Sequence, residues 1–320
     1  SMVAMSDWRN IRNGSEIPTV NYCDQPYVAS LHNGTWLCAL TTAGGHEGAV
    51  GEFVGVTLSH DRGATWGELR PLEDPRGPES CYSVPFVTPS GRVYIFYNYN
   101  GDNVRGSSRS DELGWFVFRY SDDHGVNWSD RHRVPMRLTR CDRENTFGGK
   151  VQLFWCVSHA VSVDGAVYIA FSKMKTYVQE DNEGWVFRSP NLLTEADPCK
   201  LEWDLLPEGD DGIRNDALGS VQEEHNIVPL SDGSLYCMYR TATGHPAFSI
   251  SRDGARSWSL PEPARDAQGR LIKTPRACPM MWRTRAGRFL FWFHHNGTPQ
   301  WGGRNPVWLC GGIERDGTIA

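Results

Sequence analysis

The sequence predicts an all-β chain whose strands are gathered into propeller blades. Three observations carry that class. An octad of the form S-x-D-x-G-x-x-W returns along the chain, the intervals between its copies hold short strand-like runs separated by glycine turns, and the apolar period of an amphipathic helix is nearly absent.

The octad stands first as Ser59-His60-Asp61-Arg62-Gly63-Ala64-Thr65-Trp66 and next as Ser121-Asp122-Asp123-His124-Gly125-Val126-Asn127-Trp128. A third copy, Ser251-Arg252-Asp253-Gly254-Ala255-Arg256-Ser257-Trp258, keeps the Ser, Asp and Trp and moves the glycine one place. The second interval is close to twice the first, so a degenerate copy is expected near Ser189-Pro190-Asn191, with Trp203 after it. One period beyond the third copy stands Glu314-Arg315-Asp316-Gly317. Such a turn joins antiparallel strands: Asp accepts backbone N–H groups, Gly supplies the positive φ, and Trp covers the loop. These acids are read as structural, because a repeated acid cannot occupy one active centre several times.

Each unit repeats a strand grammar. In the first, Pro26 to Leu31, a turn at His32-Asn33-Gly34, Thr35 to Leu40, a Gly-rich loop and Phe53 to Leu58 lead into the octad. The pattern returns as Val84 to Thr88 with Arg92 to Tyr97, as His159 to Val163 with Ala166 to Phe171, and as Asn226 to Leu230 with Ser234 to Tyr239. Four strands per unit, repeated, is the signature of propeller blades. Five units are visible, and no linker or composition shift divides residues 1–320 into more than one domain.

Composition narrows the function. Apolar residues make up 39% and charged residues 22%, enough to bury a core, so disorder is excluded. No apolar run approaches the ~18 residues of a spanning helix, and no membrane partner is expected. Lys and Arg number 32 against 38 Asp and Glu, without a basic cluster, so nucleic acid is not an expected partner. The nine cysteines form no C-x-x-C or zinc-type spacing, which reads as mostly buried thiols, no metal and no cofactor. Their odd number favours a reducing, cytoplasmic compartment, a secreted mature chain being the alternative.

The chain resembles the sialidase (neuraminidase) superfamily, whose blades carry this turn as an Asp box and whose fold is a six-bladed propeller. The most specific match runs from Glu224-His225-Asn226-Ile227-Val228-Pro229 to Met238-Tyr239-Arg240, with a Glu opening one inner strand and an Arg closing the next. The resemblance implies that Glu224 polarises a tyrosine nucleophile and that Arg240 is one of three arginines clamping a substrate carboxylate. Strand pairing independently brings Glu224 and Arg240 to one end of the blade, and a planar guanidinium suits a carboxylate. Arg304, in Gly302-Gly303-Arg304-Asn305-Pro306, resembles a further clamp, with Arg276 of Thr274-Pro275-Arg276-Ala277 as the alternative.

The chain also departs from the family pattern. Cys23-Asp24-Gln25-Pro26 stands where the family carries Arg-Ile-Pro, and Gly44-Gly45-His46-Glu47-Gly48 stands in the loop of its acid/base Asp. Glu47, His46 or Asp24 is therefore the candidate acid/base. The family's nucleophilic Tyr lies in a segment this chain does not contain. The expectation is a sixth blade missing at the C-terminus, the alternative being residues 1–20 closing a five-bladed ring.

Strand-end logic brings further residues to the same mouth: Glu79, Tyr82 and Asn98 of the second unit, Trp155, His159, Lys173 and Lys175 of the third, and His294, His295 and Trp301 of the fifth. Aromatic faces beside carboxylates, amides and cations suit a sugar. The leading expectation is an exo-glycoside hydrolase of the sialidase type, with a glycan bearing a terminal acidic sugar as partner. A uronate lyase using a His/Tyr pair and a non-catalytic glycan-binding propeller are the alternatives. Linkage, stereochemistry and oligomeric state are left open.

Overall fold

The computed structural model describes residues 7, 10–107, 109–176 and 180–320. Its strands form five antiparallel blades in chain order. The first holds β1 (Tyr22–Ser30), β2 (Trp36–Ala43), β3 (Phe53–Ser59) and β4 (Arg70–Pro71); the second holds β5 (Ser80–Val87), β6 (Val93–Tyr99), β7 (Trp115–Ser121) and β8 (His132–Val134). In the third, β9 (Phe154–Trp155) and β10 (Val161–Val163) both pair with β11 (Ala166–Lys173), followed by β12 (Glu183–Ser189) and β13 (Asp204–Leu206). The fourth holds β14 (Gln222–Pro229), β15 (Leu235–Thr241), β16 (Ala247–Ser251) and β17 (Glu262–Pro263). The fifth has three strands, β18 (Met280–Arg283), β19 (Phe289–Phe293) and β20 (Trp308–Gly312), and a small hairpin of β21 (Glu314–Arg315) and β22 (Thr318–Ile319) follows.

The octads fold as turns closed by their own side chains. Ser59, Ser121 and Ser251 each donate a hydroxyl proton to the Asp two residues on, at 2.8, 2.8 and 2.9 Å. The same three Asp carboxylates accept the backbone N–H groups of Thr65, Asn127 and Ser257 at 2.8, 2.8 and 2.9 Å. Two consecutive residues take positive φ in every copy: Arg62 and Gly63, His124 and Gly125, Gly254 and Ala255. The shifted glycine of the third copy therefore still occupies a left-handed position, and Ala255 takes the other. Asn191 replaces Asp in the degenerate copy, where its carbonyl accepts the N–H of Glu202 at 3.0 Å. Asp316 and Gly317 instead form the tight left-handed turn between β21 and β22.

The core lies between blades. Phe187 of the third blade stacks on Phe116 of the second at 4.7 Å and on Phe171 of its own sheet at 4.5 Å. On the fifth blade, Met281, Phe289 and Phe291 pack in one buried cluster with Val228, Tyr236 and Met238 of the fourth. The opposite face of that sheet is open, with Trp282 and Leu290 each 39% exposed, Trp292 42% and Leu309 59%. Five blades, not six, are formed by the described residues. The outer strand expected from residues 1–20 is also not formed by their described part, which holds a single 3-10 turn, Ile11–Asn13; the remainder of that stretch lies outside the described residues.

Hydrogen bonds from Asn127 hold the Asp123 carboxyl down at about 2. Its stabilising contribution is present above the unfolded value near ~4 and is lost as pH falls through the folded one. Asp123→Ala should therefore lower stability by about 1 kcal/mol at pH 7, the site being open to solvent. Denaturant titrations at neutral pH and near ~pH 2.5 should show the wild-type advantage shrinking in acid; an advantage independent of pH would remove the Asp from this role.

Candidate functional site

Three inner strands break register at corresponding points near their first residues. The shifts fall between Asp24 and Tyr27 in β1, Cys81 and Val84 in β5, and Glu223 and Asn226 in β14. Each bulge contains one left-handed residue: Gln25 at φ 48°, Tyr82 at 58° and Glu224 at 59°. A bulge re-aims side chains that the strand's alternation would otherwise direct elsewhere. Asp24, Tyr82 and Glu224 thereby line one cavity of about 510 Å³ with Glu47, Arg109, Trp155, Val157, Arg240, Trp301 and Arg304.

One wall is acidic. Burial, and next to it the Glu47 charge, push the Asp24 carboxyl up. Glu47 accepts Nη2 of Arg109 at 3.0 Å, and Arg109 grips Asp111 through Nε at 2.9 Å and Nη2 at 2.6 Å. Tyr82 donates its phenol proton to Asp111 at 2.7 Å. The loop carrying Glu47 is fixed from below, since Gly48 N–H meets the buried Glu52 carboxyl at 2.6 Å and Ser110 N–H meets the Gly48 carbonyl at 3.0 Å. Burial pushes Glu52 up to about 8.

Glu224, Arg240 and Arg304 carry further charges of the lining. Arg240 meets Glu224 through Nη1 at 3.1 Å and Glu223 through Nε at 2.8 Å. Burial pushes the Glu224 carboxyl up, with Arg240 opposing it. Arg304 donates Nη2 to the Arg276 carbonyl and has no carboxylate within ion-pair distance among the described residues. Burial, and then the charge of Arg240, lower its pKa.

Of the sequence-predicted residues, the fold brings Asp24, Glu47, Tyr82, Trp155, Glu224, Arg240, Trp301 and Arg304 to this cavity. The others lie elsewhere, His294 with Nδ1 3.4 Å from the Pro306 carbonyl and His295 edge-on to Phe293. His46 is exposed and its Nδ1 meets the Glu47 carbonyl at 3.0 Å. Glu79 is buried in an ion pair with Arg105. Asn98 is buried and donates to the Phe154 carbonyl at 2.8 Å, joining the second and third blades. Arg276 sits behind the wall, beneath Trp301, with its guanidinium 5.0 Å from the indole centre. His159 follows the break between β9 and β10, which carries it to the far end of the inner strands, stacked on Trp282 beside Val228 and Pro229; burial holds its imidazole down at about 4. Lys173, also read toward the mouth, is fully buried on Asp142 at 2.5 Å, and Lys175 pairs with Glu144 at 2.6 Å.

Sequence reasoning missed Arg109, Asp111 and Glu223. A signal for the first two was available: Arg109-Ser110-Asp111-Glu112 occupies in the second blade the loop that carries Glu47 in the first. Among the described residues, no group of three or more His, Cys, Asp or Glu is placed to hold a metal ion.

A family model described as a BNR repeat-like domain matches residues 34–309. A sialidase of Paraclostridium sordellii is 25% identical over 222 residues, covering 66% of this chain and 50% of that protein. The chain thus spans half the length of this curated relative. Among solved structures, the intramolecular trans-sialidase from Ruminococcus gnavus, in complex with oseltamivir carboxylate, is similar with TM-score 0.65 and 14% identity over 94% of this chain and 83% of that one. A Hadza microbial sialidase gives 0.67 and 14% over 93% and 57%. The Penicillium chrysogenum α-L-arabinanase complexed with arabinobiose gives 0.57 and 13% over 92% and 80%. At these identities the structures establish the fold.

The placement of Lys173 has a measurable consequence. Lys173→Met leaves Asp142 buried without its cation and should cost about 3–5 kcal/mol in denaturant unfolding. A variant as stable as wild type would return Lys173 to the list of ligand-facing residues.

Proposed function

The chain belongs to the BNR repeat-like domain family, and from that premise we propose that it is an exo-glycosidase of the sialidase type acting on a glycan with a terminal acidic sugar, a sialic or related ulosonic acid. The observation that carries this reading is the gathering of Arg240 and Arg304 with Asp24 and Glu47 around one cavity. Arg304, lacking a carboxylate of its own among the described residues, gains most from a ligand carboxylate: burial works against its charge, and a ligand anion offsets that cost. Trp155 and Trp301 offer aromatic surface to the sugar's C–H faces.

Asp24 is the general acid. Its raised pKa keeps a proton available for the leaving oxygen, while Glu47 is held in an ion pair with Arg109. Glu224, its charged form supported by Arg240 against the cost of burial, takes a proton from an attacking water, whose oxygen bonds the anomeric carbon as the leaving oxygen departs with the Asp24 proton. Tyr82, the tyrosine that lines the cavity, is hydrogen-bonded to Asp111, not to Glu224. The lyase reading required a His/Tyr pair, and the cavity is lined by no histidine among the described residues.

Fluorogenic sialosides should be turned over, whereas uronate oligosaccharides should give no unsaturated product. Sugar binding without release would instead favour the non-catalytic propeller. Asp24→Asn should lower kcat/KM for an alkyl-linked sialoside by about 10²–10⁴-fold, and much less for a nitrophenyl leaving group that needs no proton. A general acid works protonated, so the wild-type rate should fall as pH rises through the raised Asp24 pKa, a limb the variant lacks. Equal losses on both leaving groups would assign the proton donation elsewhere.

A further inference from the structure

Building on the carboxylate-clamp reading, we infer that Glu223, which does not line the cavity, is the positioning residue that sets two of the three arginines that do, Arg240 and Arg304. Glu223 immediately precedes the left-handed Glu224 and is fully buried. It stands directly across from Arg240 in the β14–β15 register. Its Oε1 accepts Nε–H from Arg240 and from Arg276, both at 2.8 Å. Its Oε2 accepts Nδ2 of Asn182 at 2.9 Å, and Asn182 is itself oriented because its Oδ1 accepts the Gln222 N–H at 2.6 Å. One carboxylate thus joins the third, fourth and fifth blades.

The two arms act differently. A guanidinium held at Nε by a fixed acceptor keeps the plane of its fork, which is the property that two-point carboxylate recognition needs. For Arg240 the hold is direct. For Arg304 it passes through Arg276, whose N–H donates to the Gln300 carbonyl at 3.0 Å and whose own carbonyl accepts Nη2 of Arg304. Fixing the Arg276 side chain therefore indexes the loop that carries Trp301 and Arg304. A glutamine at this position has one acceptor oxygen and one donor group for three incoming N–H donors. Asn182 cannot flip to compensate, because its oxygen is already committed to Gln222.

The test measures affinity for 2-deoxy-N-acetylneuraminic acid, which has no glycosidic bond to cleave, and for its carboxyl methyl ester, by titration calorimetry on the whole chain. Wild type should prefer the acid. In Glu223→Gln the acid should lose about tenfold or more, the scale of one charge-assisted hydrogen bond, with the ester within about twofold, so the acid-to-ester ratio collapses. Arg276→Lys keeps the charge and removes the Nε fork, and it should reduce the same ratio to a smaller extent, which covers the case in which Glu223→Gln does not fold. A parallel loss for acid and ester would make Glu223 merely structural and overturn the inference, as would an unchanged ratio in both variants. A wild type with no preference for the acid would overturn the clamp itself, before any variant is made, and this inference with it.

Discussion

A left-handed residue held inside a β-strand is the constraint on which the mouth depends. Gln25, Tyr82 and Glu224 each occupy that region at a register break in β1, β5 or β14. Such a backbone costs about 1–3 kcal/mol per residue for a side chain with a Cβ, and it persists only where its surroundings allow no alternative. The surroundings here are the blade interfaces. Val84 and Ile227, next to the bulges, are fully buried, and slipping the register by one residue would turn them outward and the polar tips inward. Packing between blades therefore enforces the strain, and the strain directs the polar side chains.

Each bulge divides its labour between two neighbouring residues. In β14, Glu224 lines the cavity while Glu223 ties three blades together. In β1 the order is reversed: Asp24 lines the cavity, and Gln25 donates to the carbonyls of Ser83 and Cys156, at 3.3 and 3.1 Å, on the next two blades. In β5, Tyr82 faces the cavity while the Cys81 thiol meets the Asp111 carbonyl at 3.4 Å. In β14 and β1 a polar pair at the inner-strand tip thus supplies both cavity lining and ring closure, whereas the β5 pair ties its strand to a loop of its own blade, and rigidity at the site follows from these same bonds.

The octad turns were legible because everything that defines them is local: donor, acceptor and left-handed positions lie within eight residues. Even the moved glycine of the third copy was recoverable, since two adjacent positions share the left-handed conformation. The mouth was legible only in part. Strand pairing gave Glu224 with Arg240, and loop position gave Glu47. What misled was the assumption that inner strands run unbroken. The gap between β9 and β10 sends His159 to the opposite end, and the register shift at the start of β14 leaves Glu223 directly across from Arg240, a pairing that alternation alone did not reveal. Lys173 shows a second limit, because a charge at a strand end can be answered by an acid such as Asp142, which lies in a short helix outside the sheets.

A fold shared at 13–14% identity by proteins described as a trans-sialidase and an arabinanase is indifferent to which sugar it serves. What can distinguish them must reside in the few side chains that the bulges and the mouth loops deliver. In this chain those side chains are mostly answered in pairs, Glu47 by Arg109 and Arg240 by Glu223 and Glu224, while Arg304 has no carboxylate within ion-pair distance among the described residues. A cation left so at the edge of a paired network is the point that an anionic ligand can complete. Arg109 and Glu223 hold the arrangement in place: the first pairs with Glu47, and the second orients Arg240 and Arg276. The chemistry therefore rests as much on these two holding groups as on the residues that would touch the sugar.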